Sequence, residues 1–130
     1  MRVLAVTCLT IAALVAGEAP TTEQLDFFEK KVRPVLAEFC YDCHSAQSKK
    51  VKGGLKLDTR AAVLAGGDSG TSVVAGQPDK SPLIQAVRWS NQDLEMPPKK
   101  KLSDAQIADL EAWVKMGAPD PRDGATAVAV

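Results

Sequence analysis

Histidine and cysteine are scarce in this sequence, with one histidine and three cysteines in 130 residues. That leaves little for a zinc site, which takes four ligands of Cys, His or carboxylate type. Net charge is also lacking: sixteen Lys and Arg balance sixteen Asp and Glu. Nothing overall therefore draws the chain to nucleic acid or an anionic membrane surface, and neither partner is expected. The apolar run 3–16 falls short of the ~20 residues that cross a bilayer as a helix. What is present, 45% apolar and 25% charged residues, suits one ordinary soluble domain with a modest core.

Met1-Arg2 followed by the apolar run has the form of a secretory signal, a basic n-region before a short h-region. Val15 and Gly17, or Gly17 and Ala19, supply the small residues of a cleavage site; an uncleaved N-terminal membrane anchor is the alternative. The expected organisation is a signal peptide over 1–19, one domain over 20–120 and a tail or linker over 121–130. The expected location is the periplasm or an equivalent exported compartment. Cys8 lies in the signal segment, and Ala5-Val6-Thr7 before it lacks the Leu that opens a lipidation motif. Its removal leaves two cysteines, Cys40 and Cys43.

Leu25, Phe28, Val32, Val35, Leu36 and Phe39 recur at helical spacing, and Thr21 with Gln24 forms a capping box ahead of them. Pro34 lacks an N–H and predicts a break near Arg33, with the helix restarting around the proline. Residues 45–76 read mostly as loop, with a short helix from Arg60 to Leu64 capped by Thr59. Gly66-Gly67-Asp68-Ser69-Gly70 lacks the Lys-Ser/Thr of a phosphate-binding loop and reads as a turn. Ser81-Pro82 starts a helix through Leu83, Ile84 and Val87. Ser103 and Gln106 form a second capping box, with Leu102 stapled to Ile107, and Ile107, Leu110, Trp113 and Val114 share one face of the last helix. Lys115, Gly117 and Pro119 stop it. The fold class expected is all-α, about four helices with long loops.

Cys40-Tyr41-Asp42-Cys43-His44 is the Cys-x-x-Cys-His pattern of covalent haem attachment. Two thiols about one turn apart can each form a thioether with a haem vinyl group, and the adjacent histidine then reaches the iron. The porphyrin in turn supplies apolar surface that a small chain lacks. Rival readings fit less well. A Cys40–Cys43 disulfide would close a loop too short to constrain much. Zinc finds no further Cys or His, and no βαβ pattern supports a thioredoxin-like site. The expected cofactor is one haem c per chain, on Cys40 and Cys43, with His44 as proximal iron ligand.

The second axial position falls to Met96, in a loop bounded by Pro97 and Pro98 ahead of the last helix. A thioether favours ferrous iron and raises the potential, which suits an electron carrier. Met116, at the end of the last helix, is better explained by packing, and for Met96 the plain alternative is a core filler.

The ordered set of motifs then resembles a known family. Val32-Arg33-Pro34-Val35-Leu36, the Cys40–His44 motif, Lys52-Gly53-Gly54-Leu55-Lys56-Leu57-Asp58-Thr59-Arg60, Gly66–Gly70, Ser81-Pro82-Leu83, Met96-Pro97-Pro98 and Leu110-x-x-Trp113-x-x-x-Gly117-Ala118-Pro119 are similar to the planctomycete-type cytochrome c domain. The likeness runs from about Asp26 to Pro119. It implies a fold like class I cytochromes c, with the last helix packed across the first, and it assigns the same roles to Cys40, Cys43, His44 and Met96. Such domains often belong to longer proteins, so fusion to further domains is a possibility the resemblance raises.

The function expected is single-electron transfer at a His/Met-ligated monohaem centre, without catalysis and without a small-molecule substrate at the iron. A haem-based sensor or ligand-binding module with an open or displaceable distal site is the alternative. A peroxidase is disfavoured by the single motif and the missing distal histidine. Lys49, Lys50 and Lys52 follow the haem motif and Lys99–Lys101 follow Met96-Pro97-Pro98. They form either a basic rim for an acidic redox partner or plain solvated loops.

Overall fold

Thr21 opens the first helix as its sequence predicts. Its hydroxyl accepts the Gln24 amide at 3.1 Å, and the Gln24 side chain accepts the Thr21 N–H at 3.0 Å. The computed structural model describes residues 19–122. The expected signal segment, apart from Ala19, and positions 123–130 of the expected tail lie outside the described residues. Among the described residues the architecture is all-α, with helices α1 (Thr22–Phe27), α2 (Arg33–Phe39), α3 (Arg60–Ala65), α4 (Pro82–Val87) and α5 (Asp104–Lys115). Their pairing beyond helices is a lone bridge between Gly67 and Gly70, with no strand among the described residues.

The break expected at Pro34 is a widening of the helix. Residues Phe28–Val32 form a π turn that joins α1 to α2, and the Arg33 N–H reaches back five residues to the Phe28 carbonyl. Proline lacks a donor and clashes with the carbonyl one turn behind it, and one wide turn absorbs both defects without ending the helix. The α1–α2 path therefore behaves as one long helix.

The π turn packs against α5. Phe28, Val32 and Leu36 are fully buried with Leu110, Trp113 and Val114, and the Phe28 and Trp113 rings meet at 5.8 Å, tilted by 52°. Each such side chain contributes roughly 1.5–3 kcal/mol by leaving water. The Trp113 indole donates to the Pro119 carbonyl at 2.9 Å, so the segment after α5 turns back onto the helix at Gly117, whose φ of 102° suits only glycine without strain.

Three local readings differ from expectation. Ser81 occupies the N-cap position of α4, but its hydroxyl accepts the Val74 N–H and donates to the Gln77 carbonyl, each at 2.9 Å, and so ties the preceding loop rather than the helix end. α3 extends one residue beyond Leu64. Arg122, placed with the tail by its lack of periodicity, is packed into the domain at 3% exposure as a buried ion pair with Asp120.

Candidate haem-attachment site

α2 delivers the Cys40–His44 motif to the core. The Cys40 N–H still bonds the Leu36 carbonyl at 2.9 Å, after which the backbone leaves the helix and forms a tight turn. The N–H groups of Cys43 and His44 both donate to the Cys40 carbonyl, at 3.2 and 2.9 Å. The two thiols and the imidazole thus spring from one turn, the arrangement that the spacing predicts. The loop that follows folds back beneath it: the Lys52 N–H donates to the Cys43 carbonyl at 3.0 Å, and the Leu57 N–H to the His44 carbonyl at 2.8 Å. The hydroxyls of Ser45 and Ser48 both donate to the Tyr41 carbonyl.

Cys40 is buried and Cys43 half-buried, and the two are free thiols. Burial, with a smaller contribution from Cys43, pushes the Cys40 thiol up to about 11. A thiol that stays protonated at neutral pH is a poor nucleophile, the opposite of a thioredoxin-type cysteine.

His44 carries the most informative contact. Its Nδ1 lies 3.0 Å from the Leu55 carbonyl oxygen. A carbonyl only accepts, so Nδ1 bears the hydrogen, and in the neutral imidazole Nε2 then keeps its lone pair. A metal-binding histidine is held in this way, with one ring nitrogen donating to a backbone carbonyl and the other left as ligand. Two thiols on one turn and an imidazole fixed in this tautomer fit a covalently held haem.

Leu55 owes its position to glycine. Gly67 lies so close to the Gly53–Leu55 backbone that a Cβ there would stand 2.5 Å from the Gly53 oxygen and 3.0 Å from the Leu55 side chain. The Asp68 N–H donates to that same Gly53 oxygen at 2.8 Å. The glycine turn read from the sequence is therefore a backbone-to-backbone support for the carbonyl that orients His44. Gly67→Ala should destabilise the domain by about 1–3 kcal/mol, as overpacking does, and should speed hydrogen exchange at His44 Nδ1. Denaturation and histidine nuclear magnetic resonance check the two effects; an unchanged His44 signal removes the support role.

Met96 sits apart, in the loop between α4 and α5. Its N–H donates to the Ala86 carbonyl at 3.1 Å, and its carbonyl accepts the Trp89 indole N–H at 3.2 Å. Its peptide bond to Pro97 is cis. These contacts fix Met96 to the end of α4, and none of them joins it to the Cys40–His44 turn. Met116 caps α5, half-buried, with its N–H on the Ala112 and Val114 carbonyls. An open hollow of about 870 Å³ borders the motif on its Cys43 side, walled by Tyr41, Asp42, Lys49, Lys50 and Lys52 among others. Neither His44 nor Met96 lines it, so it flanks the motif.

Residues 40–100 match the family model described as Planctomycete cytochrome C. This segment is similar to the planctomycete-type cytochrome c domain. The match begins at Cys40 and takes in Met96-Pro97-Pro98, while the α1–α2 path and α5, which frame this segment, lie outside it. No curated protein and no solved structure matches the chain. The likeness to cytochrome c domains suggests haem binding and implies covalently bound haem c. No described helix is long and apolar enough to cross a membrane.

Proposed function

We propose that the domain is an exported monohaem electron carrier, with haem c bound through Cys40 and Cys43, His44 as proximal ligand and Met96 as distal ligand. The observation that carries this reading is the hydrogen bond from His44 Nδ1 to the Leu55 carbonyl, which frees Nε2 for iron. One Cys-x-x-Cys-His motif corresponds to one haem per chain. When bound, the haem supplies a one-electron ferric/ferrous couple. The chain's own residues set its terms: the Leu55 carbonyl makes His44 a stronger donor, and the Met96 thioether favours the ferrous state. With His44 and Met96 both holding the iron, no substrate would reach the metal, and the domain would act without catalysis.

The test combines a pyridine haemochrome assay with the near-infrared charge-transfer band of Met-ligated ferric iron. Covalent haem is expected in protein from a host able to attach it, and the band is expected in wild type and lost in Met96→Ala. A wild type that lacks the band and binds carbon monoxide readily would favour a sensor or ligand-binding module instead.

An acidic redox protein is the partner this reading implies, within the periplasm or an equivalent compartment. Exposed Lys49, Lys50 and Lys52 ring the hollow beside Cys43, and Lys99–Lys101 are exposed as well. A positive rim speeds encounter with an acidic surface and makes the rate fall with added salt. Electron-transfer rates of a variant neutralised at Lys99–Lys101 should show a flatter dependence on ionic strength; an unchanged slope excludes that run from docking.

A further inference from the structure

Trp89 adopts a backbone conformation that a tryptophan rarely takes. Its φ is 54°, in the left-handed region, where a bulky side chain is an outlier. Such strain persists only where neighbours impose it. Here the preceding residue is anchored, since the Arg88 guanidinium bonds Glu111 of α5 at 2.8 Å and Asp79 at 2.9 Å. The Trp89 N–H donates to the Ala86 carbonyl at 3.2 Å, and the same carbonyl receives the Met96 N–H at 3.1 Å. Ala86 and Val87, 4% and 1% exposed, hold that acceptor in the packed end of α4.

The left-handed turn aims the indole at the other end of the loop, where its N–H donates to the Met96 carbonyl at 3.2 Å. Met96 is thus gripped on both faces of its backbone, by α4 at its N–H and by Trp89 at its carbonyl. The intervening residues 90–95 are held by local bonds onto Asn91, from Asp93 and Leu94. Only the indole, among the side chains of this loop, contributes a bond to Met96.

We propose that Trp89 is the positioning residue of Met96: the indole clamp sets how firmly the thioether is presented and how readily an exogenous ligand displaces it. The proposal rests on the reading of Met96 as the distal ligand. The loss of a single neutral hydrogen bond sets the expected effects at about fivefold.

The experiment uses the haem-loaded protein with wild type, Trp89→Phe, Met96→Ala and the double variant. Trp89→Phe keeps an aromatic ring and removes the donor. It should raise amide hydrogen exchange at Met96 about fivefold and tighten imidazole binding to ferric iron about fivefold. In the Met96→Ala background the same change should leave imidazole binding unaltered, because the clamp acts only through Met96. Unchanged exchange at Met96 overturns the clamp whatever ligates the iron. Faster exchange with unchanged imidazole binding, or an equal effect in the Met96→Ala background, overturns the positioning role. Absence of the near-infrared band in wild type overturns the ligand reading itself and the positioning role with it, and that outcome is visible before any Trp89 variant is made.

Discussion

Arg122→Ala should lower the stability of the domain by about 3–5 kcal/mol, the penalty for leaving one member of a buried ion pair without its partner. Arg122 and Asp120 are 3% and 6% exposed. The guanidinium meets the carboxylate in a fork, Nε on one oxygen at 2.9 Å and Nη2 on the other at 2.6 Å. Its remaining nitrogen, Nη1, donates to the Tyr41 hydroxyl and the Leu57 carbonyl, and its Cζ lies 4.8 Å from the centre of the Phe28 ring. Removing the side chain strands the Asp120 carboxylate in the core. It also releases the Cys40–His44 turn at Tyr41 and the segment that bonds the His44 carbonyl at Leu57. Arg122→Lys keeps the charge but not the fork and should recover only part of the loss. Urea denaturation with an unchanged slope checks the figure. A loss below about 1 kcal/mol, the level of an exposed pair, would show that Arg122 is not the buried anchor described.

Two supports of the Cys40–His44 turn were invisible in the sequence for one physical reason. Arg122 acts through long-range contacts to Tyr41 and Leu57, and the Leu55 carbonyl acts through a backbone atom that every residue possesses. Neither leaves a residue-type signature. The capping boxes at Thr21 and Ser103 were legible because both partners lie three residues apart and their chemistry is specific to those side chains. The Cys-x-x-Cys-His turn was legible likewise, since spacing alone places its members on one turn.

Intermediate cases show where pattern stops. Gly66–Gly70 read correctly as a turn, but its use against Gly53 and Leu55 depends on an approach between segments that no local rule contains. Ser81 satisfied the composition of an N-cap and sits in that position, yet the loop residues Val74 and Gln77 claimed its hydroxyl. Trp89 carries no local signature of its place: its backbone turns left-handed after α4 and its indole donates to the Met96 carbonyl. Local chemistry located the helices and the single turn that holds Cys40, Cys43 and His44; the groups that hold His44 and Met96 are set by tertiary contact.

The double variant Cys40→Ser/Cys43→Ser should retain no haem through denaturing electrophoresis, because both thioethers are gone and the axial ligands alone do not survive unfolding. The two single variants should differ from each other. Cys40 is 9% exposed and belongs to the core packed with Val32, Val35 and Leu36, so a serine hydroxyl there loses its water without an assured partner and costs about 1–3 kcal/mol. Cys43 borders the open hollow, where a hydroxyl stays hydrated and the stability cost is small. Each single variant keeps one thiol, so each should carry haem through one thioether, with Cys43→Ser the better folded of the two. Haem staining after denaturing electrophoresis, the pyridine haemochrome band position and urea midpoints separate these outcomes. Haem that persists covalently in the double variant would place the attachment elsewhere than Cys40 and Cys43, and equal stability of the two single variants would show that the burial difference between the thiols has no energetic consequence.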